Sequence, residues 1–441
     1  MKLEALTFKG GTHPNGFKDL SNGKPWIVAE APDQITIAMH QHIGAPCEAI
    51  VQKGDHVNVG QKIGEAKAFV SAPVHSSVSG TVSKIESVVT PDGRTCQAVT
   101  IDNDKEYTLG YEVLNRTLDE VSAEEIRAIV REAGITGQGG ASFPTHVKLT
   151  VPEDNPIDTV ILNGAECEPY LTCDQLVMEN EGEKVLFGLK AIMKAVGAET
   201  GIVAIESNKP GAIKNLRALN KDENIHIASL VPKYPQGDEK RIINACLNRE
   251  VPSGGLPMHV GVVVDNVGTA KAIAEAVREG KPLYERLVTV TGHAAMDPKN
   301  VLVKNGTPLD AIIEAAGGLK EEPGKIIMGG PMMGIAQYSL DHPAVKGLSG
   351  LLCMTKKEAE PPVVQKCMKC GKCVEACPVH LLPLYIQQRA LKGLVDEAQE
   401  LHALDCIECG SCSYVCPAKR PLVEAIRLAK RGIRAKEQKT R

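Results

Sequence analysis

Aromatic residues are scarce in this chain: one Trp, five Phe and eight Tyr among 441 residues, so its cores must be largely aliphatic. Charge of one sign is scarce as well. Fifty Lys and Arg stand against 54 Asp and Glu, a formal net charge of −4, which argues against a general nucleic-acid binder. No apolar run approaches the roughly 18 residues of a membrane-spanning helix, so the expected protein is soluble or peripheral to a membrane. The opening residues Met1 to Lys9 hold no apolar core of signal-peptide length. Fourteen Cys without such a leader point to a reducing compartment. Hydrophobic content of 43% suffices for real cores, 41 Gly and 27 Pro imply many turns, and the length implies two to four domains.

Eight of the cysteines lie in two runs near the end. Cys367 opens C-M-K-C-G-K-C-V-E-A-C-P, and Cys406 opens C-I-E-C-G-S-C-S-Y-V-C-P. Each is the C-x2-C-x2-C-x3-C-P pattern of two-cluster ferredoxins, in which the fourth Cys serves the other cluster. One [4Fe-4S] cluster then takes Cys367, Cys370, Cys373 and Cys416, and the other takes Cys406, Cys409, Cys412 and Cys377. Three thiolates two residues apart can wrap one face of a cubane in a single tight loop. Pro378 and Pro417 turn the chain away, and Gly371 and Gly410 let backbone N–H groups approach sulfur. Structural zinc is the competing reading, but it usually takes two Cys pairs separated by a longer loop. Between the runs, Leu384, Ile386, Leu391, Leu394, Val395, Ala398 and Leu401 recur at helical spacing, so a helical dicluster domain is expected over 355–441.

Ahead of it, residues 1–30 form an extended lead-in, with His13 expected as a packed loop histidine. Residues 31–114 are short apolar runs broken by turns, an all-β pattern. The stretch from Val51 through Gly54-Asp55 to Ile63-Gly64, followed by Ala72-Pro-Val through Thr81-Val82, resembles the lipoyl-type barrel-sandwich. Carriers of that type display a modified Lys on a hairpin. Pro73-Val-His-Ser-Ser77 stands there instead, so a docking or scaffold role is expected. Residues 115–284 alternate strand-like runs (159–162, 201–205, 225–227, 260–264) with helical patterns (184–196, 212–219, 239–247, 269–279), implying a Rossmann-like parallel sheet covered on both faces. Ser122 to Glu125 is a capping box opening another helix. Residues 285–345 resemble a small β-grasp module, in which Met332 and Met333 are expected as core filler. The fold class expected overall is a multidomain α+β chain.

Gly134 to Lys148 holds four glycines within seven residues and a terminal Lys. Such a loop lets backbone approach a ligand and offers N–H donors to an anion, yet it is neither a P-loop nor a G-x-G-x-x-G fingerprint. With Asn163-Gly-Ala-Glu-Cys-Glu-Pro169, Gly237-Asp-Glu239 and Asp265-Asn-Val-Gly-Thr269, it resembles in order the flavin-binding subunit of respiratory NADH dehydrogenase (complex I). The resemblance implies that Gly137, Gly139, Gly140, Lys148, Asn163 and Asn266 hold FMN. It implies that Glu168 and Glu239 face the nicotinamide nucleotide, with Phe143, Glu166 and Asp238 in the same cofactor-binding set. Ala165, Cys167, Asp238 and Asp265 depart from that family's residues, and Cys167 is expected as a buried, inert thiol.

The whole order of modules, from 1 to about 420, resembles the RnfC family of the Rnf (Rsx) electron-transport complexes. That resemblance implies an oxidoreductase and translocase subunit passing electrons between NAD(H), FMN and two [4Fe-4S] clusters, in a complex that couples ferredoxin:NAD+ electron transfer to Na+ or H+ transport. It implies other subunits of that complex, membrane and ferredoxin-type, as partners, no nucleic acid, and a peripheral place on the cytoplasmic face of the cell membrane. No catalytic acid or base is required. Two other readings stay open at this stage: the related flavin/iron–sulfur cobalamin reductase, and an electron wire or scaffold with no nucleotide site. The ending 418–441 carries nine Lys and Arg against two Glu on a near-helical apolar pattern. It could lie on anionic lipid or an acidic partner, or simply cover the clusters.

Overall fold

The computed structural model describes residues 3–440. Four modules follow one another. The first has a four-stranded antiparallel sheet (Gln34–Ala38, His56–Val57, Gly80–Val89, Thr95–Asn103) facing a three-stranded one (Glu48–Ala49, Lys62–Glu65, Val74–His75). Ile35, Ile37, Val57, Ile63, Val74 and Ile101 fill the space between them. The stretch where carriers display a lysine is turned inward. His75, Ser76 and Ser77 are buried, Ser77 donates to the Asn305 carbonyl at 2.6 Å, and the Pro73 carbonyl accepts from Lys346 at 2.7 Å. This surface is a joint with the rest of the molecule.

The second module is a parallel sheet in the order 225–230, 200–206, 159–164, 262–266. Helices Gly182–Val196 and Val267–Glu279 pack together on one face and Glu239–Leu247 lies on the other. β-Branched residues dominate its strands because both faces are covered, and each fully buried Ile or Val here contributes about 1.5–3 kcal/mol. The Ser122 capping box is present, opening helix Ala123–Glu132. The winding reverses between 159–164 and 262–266, so a crevice opens at the carboxyl ends of these two neighbours.

The third module extends past the expected limit at 345. Its central strand is Gly350–Met354, lying between Glu285–Thr291 and Lys325–Met328, and Ile27–Val28 from the lead-in adds an edge strand. Both segments lie too far from the core of the pattern to be assigned by local periodicity. Met332 and Met333 are not core filler: Met333 is exposed and Met332 half-buried, on the loop after Lys325–Met328.

The fourth module carries the cysteines. Its spacer forms helices Pro383–Leu391 and Val395–Glu400, and the last helix, Leu422–Thr440, lays Ala425, Ile426, Ala429 and Ile433 against them. The apolar face of the basic helix is thus covered by its own domain. Among the described residues, no helix is long and apolar enough to cross a membrane.

Candidate electron-transfer site

The two cysteine runs adopt the same backbone 39 residues apart. Lys369 and Glu408 both have φ 58°, Gly371 and Gly410 both have φ 79°, and His380 and Lys419 have φ 56° and 50°. Each glycine is the left-handed cap of a one-turn helix, Lys372–Glu375 or Ser411–Tyr414, and each run bends its N–H groups back toward sulfur. Lys369 N–H donates to Cys367 Sγ at 3.3 Å, Glu408 N–H to Cys406 Sγ at 3.4 Å, and Leu381 N–H to Cys377 Sγ at 3.3 Å.

The fourth cysteines cross over. Cys377 lines one apolar pocket with Cys406, Cys409 and Cys412, walled by Leu381, Val423 and Ile426. Cys416 packs beside Cys373. All eight are free thiols. Burial pushes the Cys406 thiol up to about 11 and raises Cys409 and Cys412, and the neighbouring sulfurs, Cys377 among them, add to the rise. Four thiolates converge stably there only around a cationic centre, so the donor set, the N–H···S bonds and the cavity fit a [4Fe-4S] cluster.

The two sites differ in setting. Residues 361–372 are exposed throughout, including Cys367, Cys370 and Met368. A Cβ added to Gly371 would meet nothing within 4 Å, whereas one on Gly410 would lie 3.1 Å from the Met332 carbonyl. The segment after Cys377 is held by Arg241, which donates to the Pro378 carbonyl. Gly11 N–H donates to the Ala376 carbonyl at 2.9 Å, and the next residue, Thr12, pairs with Tyr234. The cysteine set Cys406, Cys409, Cys412 and Cys377 is therefore the inner one, facing the parallel-sheet module, and the other set faces outward.

At the crevice, Asn163 and Asn266 are register partners on adjacent strands. Asn163 donates to the Gly237 carbonyl at 2.7 Å and accepts from Ala165 N–H at 3.1 Å. Asn266 caps helix Val267–Glu279 through Gly268 N–H at 2.7 Å and donates to Asp174 at 2.7 Å. The glycine-rich loop lies over this helix start: Gln138 N–H donates to Thr269 Oγ1 at 3.0 Å, and a Cβ on Gly139 would come within 2.5 Å of Asn266 Nδ2. Gly140 has open space around it, and Gly137 N–H closes the loop onto the Phe143 carbonyl at 2.9 Å. Lys148 donates to the Val264 carbonyl at 2.9 Å and lies 3.6 Å from Glu239. Asp238 caps the helix Glu239–Leu247 through Arg241 N–H at 3.2 Å, and burial pushes its acid up.

Glu166 accepts from Asp174 N–H at 2.7 Å. Glu168 accepts from Met332 and Met333 N–H at 3.1 and 2.9 Å, and burial pushes its carboxyl up to about 7 despite these donors. Met332 thus donates its N–H to the loop carrying Glu168, and its carbonyl lies beside Gly410 of the inner cysteine run. Cys167 accepts from Gly237 N–H at 3.3 Å, and burial raises its thiol. Asp265 Oδ2 and both amide atoms of Gln236 are buried without partners among the described residues, and burial pushes Asp265 up to about 6. Open glycine backbone, a helix start, a lysine and unpaired polar atoms fit a phosphate-bearing ring cofactor. Sequence reasoning missed Lys18, Lys209 and Arg286, which hold backbone carbonyls of the acidic and glycine-rich loops from outside those motifs; a single basic residue, in a turn or on a strand, carries no pattern that marks it. His13 is exposed, 3.1 Å from the Pro232 carbonyl.

Fold and site together define an iron–sulfur flavoprotein module: a nucleotide sheet butted against a dicluster ferredoxin. Family descriptions match each part, the RnfC barrel sandwich hybrid domain over 6–106, the Nuo51 FMN-binding domain over 130–275, the SLBB domain over 287–336 and the 4Fe-4S dicluster domain over 362–417. The chain is 48% identical over 441 residues, all of both chains, to the RnfC protein of the Na(+)-translocating ferredoxin:NAD(+) oxidoreductase complex of Acetobacterium woodii. It is 48% identical, over 97% of its length and 94% of the relative, to the RnfC protein of the proton-translocating ferredoxin:NAD(+) oxidoreductase complex of Clostridium ljungdahlii. An NAD+-reducing [NiFe]-hydrogenase chain in the air-oxidised state shares the fold at 17% identity and TM-score 0.50, over 69% of this chain and 63% of that one. The chain belongs to the RnfC family of ion-translocating ferredoxin:NAD+ oxidoreductase complexes.

Proposed function

We propose that this protein exchanges electrons with NAD(H) at the crevice between strands 159–164 and 262–266 and relays them through the inner and then the outer cluster to another member of an ion-translocating complex. NADH releases two electrons and a proton as it becomes NAD+. Bound FMN supplies the conversion between a hydride pair and single electrons, and each cluster carries one electron at a time. The chain's own residues bind and orient. Gly139 and Gly140 supply N–H groups to an anionic cofactor, Gly137 closes the loop that presents them, Asn266 orders the helix start beneath it, Lys148 adds fixed positive charge, and Asn163 fixes the crevice floor. Glu166, Glu168, Asp238, Glu239 and Phe143 border the space left for the nicotinamide nucleotide. Partner subunits hold the protein peripherally at the cytoplasmic face of the membrane; among its own described residues no helix is long and apolar enough to cross one.

The observation that carries the relay is the unequal setting of two otherwise matching loops, with Gly410 against Met332 and Gly371 in the open. Replacement of one ligand at a time tests it by EPR under NADH. Cys409→Ala is expected to leave the outer cluster oxidised, and Cys370→Ala is expected to leave the inner cluster reducible. Reduction of the outer cluster at the parent rate in Cys409→Ala would contradict the order.

A further inference from the structure

The lead-in runs across the molecule before the barrel begins. Leu6 joins the edge of the parallel sheet beside Leu230, Gly11 and Thr12 bridge Ala376 to Tyr234, and Gly16 accepts from Tyr170 N–H at 2.7 Å. Phe17 then stacks on Tyr170, ring centroids 4.7 Å apart. These contacts deliver Lys18 to the inner side of the loop that carries Glu166 and Glu168. Its ammonium donates to the carbonyls of Glu166 at 2.8 Å, Glu168 at 3.1 Å and Leu171 at 2.6 Å.

Three backbone carbonyls converge on one cation because the loop is bent against its preference. Glu166 has φ 45° and Tyr170 φ 71°, left-handed values that non-glycine residues adopt at a cost. An ammonium has three donors and here finds three acceptors, which saturates it. Lys209, fully buried after strand 200–206, holds the preceding carbonyl, that of Ala165, at 2.6 Å, and pairs with buried Glu206 at 3.3 Å. The acidic loop is therefore clamped from both sides. Burial lowers the Lys18 ammonium, with Lys209 adding to that effect and Glu166 and Glu206 opposing it.

We propose that Lys18 is a positioning residue of the nucleotide site: the lead-in's ammonium sets the strained conformation of residues 166–171 and so aims Glu166 and Glu168 into the crevice. The inference rests on the reading of that crevice as the NAD(H) site, but its first test needs no cofactor. Cys167 sits inside the clamped loop, while Cys246 and Cys353 lie buried elsewhere. In the full chain, Lys18→Met is expected to speed alkylation of Cys167 by N-ethylmaleimide, mapped by mass spectrometry, by about tenfold, with Cys246 and Cys353 unchanged. In the FMN-loaded chain the same variant is expected to raise KM for NADH by about tenfold with kcat little changed, and Lys18→Arg, which keeps charge and donors, is expected to recover most of both effects. Cys167 alkylation at the parent rate in Lys18→Met would overturn the proposal. So would parallel labelling of Cys246 and Cys353, which would make Lys18 a general strut of the fold. A parent chain that takes no FMN would remove the NAD(H) reading and leave the loop assignment to stand or fall on alkylation alone.

Discussion

Single residues in this molecule do several jobs at once. Glu168 shows it: its carboxylate takes two N–H groups of the β-grasp loop while burial pushes it up to about 7. A buried acid whose folded value exceeds its unfolded one binds its proton more readily when folded. Its contribution to stability is therefore greatest below the unfolded value and is lost as pH rises through about 7. The difference in thermal midpoint between the parent and Glu168→Gln should accordingly shift against the parent from pH 6 to pH 8, and a difference that stays flat would contradict the assignment. Resemblance alone pointed to Glu168 as a residue facing a nucleotide. Its link to Met332 was hidden because the two lie 164 residues apart and nothing local in Gly-Gly-Pro-Met-Met marks a free pair of N–H groups. The dicluster domain was legible from its two cysteine runs, because ligand spacing is dictated by the cubane rather than by tertiary context.

Among elements, the two cysteine loops form a matched pair in unmatched surroundings. Ala at Gly371 or at Gly410 meets the same left-handed backbone, a cost of about 1 kcal/mol. Only at Gly410 does the new methyl also crowd the Met332 carbonyl. Gly410→Ala should therefore lower the anaerobic thermal midpoint more than Gly371→Ala and slow electron arrival at the inner cluster, and equal effects would show that the inner loop does not dock there. Helices and strands of the parallel sheet were readable from periodicity, since strands covered on both faces read as unbroken aliphatic runs. The strand Gly350–Met354 was not, because only its partners 285–291 and 325–328 identify it as central.

The whole molecule is held by long-range contacts between modules. Lys346, buried and with no carboxylate partner among the described residues, joins the barrel at the Pro73 carbonyl to the nucleotide module at the Gly134 carbonyl, 2.7 and 2.6 Å away. Arg286 ties the Lys346 carbonyl to that of Gln138 in the glycine-rich loop. The order of modules was legible from their motifs, whereas this clamping depends on pairs such as Gln41 and Lys346, 305 residues apart, that no local pattern reveals. The basic final helix is likewise explained at this scale, with Lys430 on the Cys406 carbonyl at 2.7 Å and Arg427 on Glu408 at 2.8 Å, beneath the inner cluster. The proposed function depends on one conversion, paired electrons from a nicotinamide becoming single electrons on two iron–sulfur clusters. Anaerobic titration of the FMN-loaded full chain with NADH, followed by flavin absorbance and EPR, tests it most directly. Bleaching of the flavin band with reduced-cluster signals from two [4Fe-4S] centres is the predicted result; a protein with its full iron complement that retains no FMN and does not respond to NADH would contradict it.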